Sequence, residues 1–521
     1  MFNTLDWIIV GLYCVGIISL ATYVSRKKSG SERSAEDYFL AGRSLPWWAI
    51  GASLIAANIS AEQIIGMSGQ GFVVGMAIAV WELTAAIALI VMAKYFLPLF
   101  LEKKIYTMPQ FLEQRFDKRV SLVLSFFWLT VYIFVNLTAV LWLGSIAINT
   151  LTGLSLTNGM ILLAVLSLAY SLSGGLKAVA MTDIVQVVLL IFGGLAVSYI
   201  ALSKIGNGYI FTGLVEVYNQ MPEKFDMILS ADNPSYNNLP GIWILIGAGV
   251  WIGHFAYWGF NQYITQRALG AKSLMEAQKG VMFAAYLKLL MPLVIVLPGI
   301  CAAVLFPILE KTDQAYPTMM IELLPSGLLG LTFAALIAAI VSSLASMTNS
   351  ISTIFTMDVC RSFSKNEISQ SNLIFIGRSA VIVSMAIALI MAKPILGNSD
   401  QIFQYIQNFT GLFTPGILVI FLVALFWKKA TTLSVLIAAI LSVIMSIFIQ
   451  ATFPEFPYIH RMGAVFFASG LGCYVTSYLQ GYRDQEKAID INGINFSTSK
   501  AFNVNTLIII SVLTLIYVTL G

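Results

Sequence analysis

Apolar runs of about 20 residues recur from one end of the chain to the other, separated by short polar stretches. Fourteen can be drawn: 5–25, 45–71, 75–101, 120–149, 156–173, 178–205, 239–268, 278–308, 325–360, 373–394, 401–427, 431–452, 459–480 and 502–520. A helix crossing a bilayer core needs about 20 apolar residues, whereas a barrel strand is about 10 residues of alternating polarity. The pattern therefore predicts an all-α membrane protein with 14 transmembrane helices. Several runs exceed 25 residues, which predicts tilt or breaks. The longest polar stretches, such as 481–500, leave no room for a soluble domain.

Composition agrees. The 521 residues are 58% hydrophobic and 10% charged, with mean hydropathy +0.85, against roughly 45–50% and about 25% for soluble chains. The first run has Asp6 in front and Arg26, Lys27 and Lys28 behind, the reverse of a signal peptide, so it reads as a mature span. Cys14, Cys301, Cys360 and Cys473 form no CxxC pair or His/Cys cluster, which predicts neither a disulfide framework nor a zinc or iron–sulfur site. No nucleophile–His–acid set converges, so the chain does not read as an enzyme. A net charge of +4 supports no nucleic-acid partner.

With the N-terminus outside, 22 Lys and Arg fall in cytoplasmic loops, Arg267 and Lys177 among them, and five outside. The positive-inside bias thus places both termini outside the cytoplasm. The outer loop 206–238 carries Glu216, Glu223, Asp226 and Asp232, a solvated loop or a weak cation-attracting field.

Ionisable residues at membrane depth usually face a cavity or pathway. Glu62, Glu82, Asp183, His254 and Lys288 lie within spans, with the amides Asn58, Gln63, Asn136, Asn261, Gln262 and Gln407. Together they can line one hydrated cavity. The stretch IAANISAEQIIGMSGQG holds several of them and can break into two half-helices, whose freed carbonyls need protein, water or a cation. The ninth span offers IAAIVSSLASMTNS. Its adjacent hydroxyls, Ser342 and Ser343, with nearby carbonyls, would make a hard-oxygen site for a small cation. The same small residues equally serve helix packing. Gln63, Glu82, Lys288 and Gln407 mix donors and acceptors as a sugar requires, and Trp81, Tyr257, Trp258 and Phe403 could cover its apolar faces. Glu82 and Lys288 also read as a structural ion pair, and His254 as a hydrogen-bonded interior histidine.

Five segments in order, YFLAGRSLPWWAIGASLIAANISAEQIIGMSGQG, SLSGGLKAV, YWGFNQYITQRALGAKS, AAIVSSLASM and FQYIQNFTGLFTPGI, resemble the sodium/solute symporter family, and within it the bacterial sodium/galactose–glucose branch. The resemblance implies a five-plus-five inverted-repeat, LeuT-like core, with one extra helix before it and three after. Residues 1–30 would be the extra N-terminal helix, 45–205 the first repeat, 239–427 the second, and 431–521 the three C-terminal helices. Substrate and ion would then sit near the bilayer midplane between broken helices.

Carried over position by position, the resemblance implies a sodium ion held by the carbonyls of Ala56, Ile59 and Ala339 and the hydroxyls of Ser342 and Ser343. It implies substrate contacts from Gln63, Glu82, Lys288 and Gln407, with Asn58, His254, Tyr257 and Trp258 close by. Tyr257 would close the cavity on the inner side, and Met67, Trp81 and Phe403 would cap it from outside. Asp183 matches an acidic position on an ion exit route. Three positions depart from the galactose pattern: Trp81 for Tyr, Ala85 for Ser and His254 for Asn. The implied activity is sodium-coupled import of a hexose, galactose or glucose, by alternating access in a bacterial inner membrane. The alternative is another neutral solute, such as a polyol. The partners implied are a small sugar and the lipid bilayer, with no obligate protein partner. A sensor would normally carry a soluble signalling domain, and a channel would pass current without sugar.

Overall fold

The computed structural model describes residues 2–25, 41–105, 107–364, 368–491 and 493–521; the side chains of 18, 21, 22, 24, 25, 172–178 and 370 are outside the description. Arg26, Lys27 and Lys28 therefore lie outside the described residues, as do the first three positions of the YFLAGRS segment.

The described chain is helical, with one isolated bridge between Leu45 and Ala271. The helices that matter here are α1 (Thr4–Ser25), α2 (Trp47–Asn58), α3 (Glu62–Val73), α4 (Met76–Glu102), α5 (Lys118–Thr152), α6 (Leu156–Ile205), α7 (Gly249–Phe260) and α8 (Gln262–Leu269). They continue with α9 (Leu274–Leu305), α10 (Leu328–Phe363), α11 (Gln370–Leu396), α12 (Ile402–Thr410), α13 (Thr414–Phe426), α14 (Thr432–Thr452), α15 (Tyr458–Leu479) and α16 (Lys500–Leu520). Among the described residues nine helices are long and apolar enough to cross a membrane, and up to eleven spans result if each bent pair counts as one. The bent pairs are α2–α3, at 60°, and α12–α13, at 47°. Thr4–Ile17 and Leu156–Ser171 are shorter apolar helices.

The turn expected between 173 and 178 falls within 172–178, whose side chains are outside the description. The apolar segments Leu156–Ser171 and Val179–Ile205 flank it, and a hydrogen bond between the Tyr170 and Thr182 hydroxyls draws their near ends together, closer than twelve residues of straight helix would allow. Two details differ from the apolar pattern. Residues 239–268 do not form one span: Trp243–Ile246, α7 and α8 are separate, and Asn261, in extended conformation, divides the last two. The run 401–427 divides at Gly411–Phe413, where Gly411 and Pro415 weaken helix continuity.

Polar side chains cap the helices where they leave the apolar layer. Asp117 accepts from the Arg119 and Val120 amides at the start of α5, and Ser155, Ser273 and Ser499 do the same for α6, α9 and α16. These bonds satisfy amides that have no intrahelical partner. Wide π turns interrupt α4 at Met92–Phe96 and α9 at Pro292–Val296. Pro98 and Pro298 follow them; a proline has no N–H for the carbonyl four residues back, here Lys94 and Val294, and the widened turn accommodates that loss. Further π turns span Glu62–Met67 and Tyr132–Leu137.

The bundle has an inside and a rim. The apolar window of α4 is 83% buried, whereas that of α16 is 17% buried. Helix α2 packs on α6 and α9, and α6 packs along α10. Gly51 and Gly280 let α2 and α9 approach closely, since a Cβ on Gly51 would lie 2.6 Å from the Gly280 carbonyl oxygen. The first helix is tied to the bundle by Asp6, which is buried. Its Oδ1 accepts from the amides of Gly327 and Gly330, at 2.8 and 2.9 Å, at the start of α10.

Candidate functional site

Where α2 stops, the chain leaves helical geometry at Ile59 and resumes at Glu62. The Ser60 amide, which would otherwise donate to Ala56, donates instead to Gln63 Oε1, at 3.2 Å. The break thus leaves the last carbonyls of α2 without the amides a continuing helix would supply. It also sets Asn58, Glu62 and Gln63 along the wall of a cavity of about 120 Å³. For scale, a cavity of about 150 Å³ takes one benzene ring, so this one is tighter than a hexose with its hydroxyls requires and would have to widen to admit one.

All eight residues expected to contact substrate line this cavity: Asn58, Gln63, Glu82, His254, Tyr257, Trp258, Lys288 and Gln407. Met67, Trp81 and Phe403, expected as the outer cap, line it as well. Ala85 is buried in α4 and is not among the lining residues.

The polar wall is a connected chain. Lys288 Nζ lies 2.5 Å from Glu82 Oε2 and donates to Asn58 Oδ1. Asn58 Nδ2 donates to the Tyr257 hydroxyl at 3.1 Å, which pairs with the Tyr263 hydroxyl at 2.7 Å. The Lys288 ammonium also sits 5.2 Å from the Trp258 ring centre, a cation–π arrangement. Both readings of Glu82 and Lys288 therefore describe the same atoms: a buried ion pair that faces the cavity.

His254 Nε2 is 2.8 Å from Thr84 Oγ1, which donates to the Val80 carbonyl at 2.5 Å. With the hydroxyl proton so placed, Nε2 must be the donor to Thr84. The His254 ring packs edge-on against Trp81, centroids 5.5 Å apart, so two of the departures from the galactose pattern touch each other. Asn136, from the π turn of α5, donates to Glu62 Oε1 at 3.5 Å.

A second polar cluster lies where α2, α6, α8 and α10 meet. Asp183 accepts from Ser53 and Ser342 hydroxyls, each at 2.5 Å, and lies 3.6 Å from Arg267 Nη2. Arg267 donates further to Ser53, Ser346 and the Tyr263 carbonyl. The Ser343 hydroxyl is buried with no hydrogen-bond partner, and Ala56, Ile59 and Ala339 are buried. Serine oxygens and backbone carbonyls form a donor set suited to a small hard cation.

The placement of Arg267 corrects the sequence reading. The apolar pattern puts it with the cytoplasmic loops, yet it is 1% exposed inside the bundle. A charge at the end of an apolar run does not tell whether it meets water or a buried carboxylate. The sequence pattern also passed over Trp128, Thr410, Thr414 and Met462, which line the cavity. Asn261, named among the intramembrane amides, marks the α7–α8 break, and its Oδ1 accepts from the Tyr132 hydroxyl at 2.7 Å.

The sodium:solute symporter family model matches residues 38–433. A sodium/glucose cotransporter of Vibrio parahaemolyticus is 46% identical over 98% of this chain and 97% of its own length. A human sodium/myo-inositol cotransporter is 32% identical over 82% of this chain and 64% of its own. Among solved structures, a sodium-coupled sialic acid symporter in a substrate-bound outward-open state aligns with TM-score 0.79 at 21% identity, covering 92% of this chain and 98% of that one. At that identity the likeness concerns the fold.

Proposed function

The chain belongs to the sodium:solute symporter family, and from that premise we propose that it imports a hexose, glucose or galactose, by sodium-coupled alternating access. The observation that carries this reading is the cavity at the α2–α3 break, walled by the Glu82–Lys288–Asn58–Tyr257 chain and by aromatic rings. A sugar hydroxyl both gives and takes hydrogen bonds, and this wall offers an ammonium, a carboxylate, amides and a phenol. The 46% identity to a sodium/glucose cotransporter over nearly the whole chain supports the solute class.

In this reading residues 45–205 and 239–427 are the two inverted repeats, flanked by one helix before and three after, with both termini outside the inner membrane. The carbonyls of Ala56, Ile59 and Ala339 and the hydroxyls of Ser342 and Ser343 hold sodium. The ion bridges α2 to α10 and fixes the helix end that presents Asn58. Gln63, Glu82, Lys288 and Gln407 bind sugar hydroxyls, with His254 and Trp258 beside them. Met67, Trp81 and Phe403 close above the sugar and Tyr257 below it. Rocking of the bundle then opens the inner side, sodium leaves past Asp183, and sugar follows. The gradient is supplemented by about 2.3 kcal/mol per charge per 100 mV of membrane potential. Sodium and sugar raise each other's affinity by the same factor.

The test is uptake of labelled glucose and galactose into proteoliposomes under an inward sodium gradient, with potassium as control. Sodium-dependent accumulation of either is expected. Vesicles that hold a gradient and accumulate neither would overturn the hexose assignment. A polyol is the second reading, favoured by the 32% identity to a myo-inositol cotransporter and distinguished by labelled myo-inositol in the same vesicles.

A further inference from the structure

Helix α12 supplies Phe403, Ile406, Gln407 and Thr410 to the cavity wall. Its N-terminus is held from outside the spans by the turn 311–314. Asp313 is 1% exposed, and its Oδ2 accepts from the Ile402 amide at 3.1 Å. Its Oδ1 is buried without a hydrogen-bond partner. Either side of it, the Thr312 amide and hydroxyl donate to Asp400 Oδ1 at 3.1 and 2.9 Å. The Lys311 ammonium donates to the Gly397 and Ser399 carbonyls at 3.1 and 3.4 Å. From α3, Gln70 donates to Gln401 Oε1 at 2.9 Å. Gln401 itself has φ +57°, a conformation uncommon for a residue that carries a side chain. Gly69 lies directly beneath, since a Cβ there would sit 2.8 Å from Asp313 Oδ1. Segment 397–402 is thus clasped between a turn and α3, and α12 starts from it.

We propose that Asp313 is a positioning residue for the outer gate: its carboxyl group holds the start of α12, and gate opening hydrates that group and releases a proton. The proposal rests on the reading of Phe403 as part of that gate.

Burial pushes the Asp313 carboxyl up to about 7; the Ile402 amide and Lys311 oppose the rise, and Asp400 adds to it. Other packed elements bring little charge. The last turns of α5, Thr138–Thr152, contain no ionisable residue. In Ala315–Leu323, Glu322 is exposed, and the Tyr316 hydroxyl lies near Gly194 of α6. Glu62 of α3 lines the cavity. The sign follows from linkage. A clasped, buried carboxyl near 7 holds a proton that a hydrated one, near 3.9, does not. The closed gate is therefore favoured as pH falls through 7, and the open gate as it rises. For a closed-state value of about 7, the open-to-closed ratio rises about tenfold between pH 6 and pH 8.

Thr410→Cys, in a chain whose four native cysteines are replaced by alanine, reports gate opening through its rate of labelling by an impermeant maleimide in proteoliposomes. The ratio of rates at pH 8 and pH 6 is divided by the same ratio measured with Asp313→Asn, which cancels the pH dependence of the thiol. A quotient near ten is expected, and a quotient of one overturns the proposal. Asp313→Asn keeps an acceptor for Ile402 and should label slowly at both pH values. Asp313→Ala should label faster at both, and equal rates for Asn and Ala would overturn the positioning role. Thr312→Val, which loosens the Asp400 contact alone, should label faster while retaining the pH ratio; loss of that ratio would overturn the assignment to Asp313, even where an Asp313 variant does not fold. Labelling needs no sugar, so vesicles without hexose uptake but with a quotient near ten would sink the solute reading and leave the gate.

Discussion

Neutralising one member of the Glu82–Lys288 pair should be far more damaging than neutralising both. Lys288 and Glu82 side chains are 1% and 2% exposed and 2.5 Å apart. Lys288→Met leaves the Glu82 carboxylate buried opposite a thioether and takes the donor from Asn58. Removing one partner of a buried pair costs about 3–5 kcal/mol, whereas replacing both with neutral groups of similar volume is often neutral or stabilising. Each single variant, Lys288→Met or Glu82→Gln, should therefore lose about 3–5 kcal/mol. The double variant should lose much less than the sum, a coupling of about 3 kcal/mol or more. Reversible unfolding in mixed micelles, followed by tryptophan fluorescence, measures all four corners of the cycle. Sugar uptake supplies a second readout. The double variant should regain stability and remain inactive, because the wall has lost its charged donor and acceptor. Additive losses would refute the coupled pair, and normal uptake by the double variant would refute its role in holding sugar.

Ser343→Ala removes a buried hydroxyl that has no protein partner; the sodium concentration for half-maximal uptake should rise by about tenfold, for a loss of about 1–3 kcal/mol, and unchanged sodium dependence would take Ser343 out of the ion site. Gln407→Ala should weaken sugar binding by a similar factor while shifting sodium binding less, read by titrating each ligand at saturating levels of the other; equal losses for both would argue against a direct sugar contact.

The parts of this architecture that announce themselves locally were legible. Asn58, Ser60, Glu62 and Gln63 interrupt an apolar run, and a helix that must hide polar groups there breaks. The polar and aromatic residues expected around a sugar do converge on one cavity, although what each does there awaits the variants above. The junction at Asn261 was less legible, because residues 239–268 read as one continuous apolar run and a single amide is a weak interruption. The change of direction near 173–178 was legible from Gly174, Gly175 and Lys177, and the hydrogen bond between the Tyr170 and Thr182 hydroxyls brings the two flanking segments back together. Arg267 was misplaced because its partners, Ser53, Asp183 and Ser346, come from distant helices. Such pairing depends on how helices stack, which no local window contains.

The hold of Asp6 on the Gly327 and Gly330 amides bears on how the molecule can be handled. The helix it steadies is the one that carries Ser342 and Ser343, so the first residues of the chain belong to the mechanical frame of the proposed ion site. A Cβ on Gly330 would lie 2.6 Å from the Asp6 backbone, so the fit admits little slack. An affinity tag or fluorescent fusion placed ahead of Asn3 would pull on that anchor, whereas one appended beyond α16 would not. Ion coupling measured on amino-terminally fused protein would then read weaker than that of the native chain.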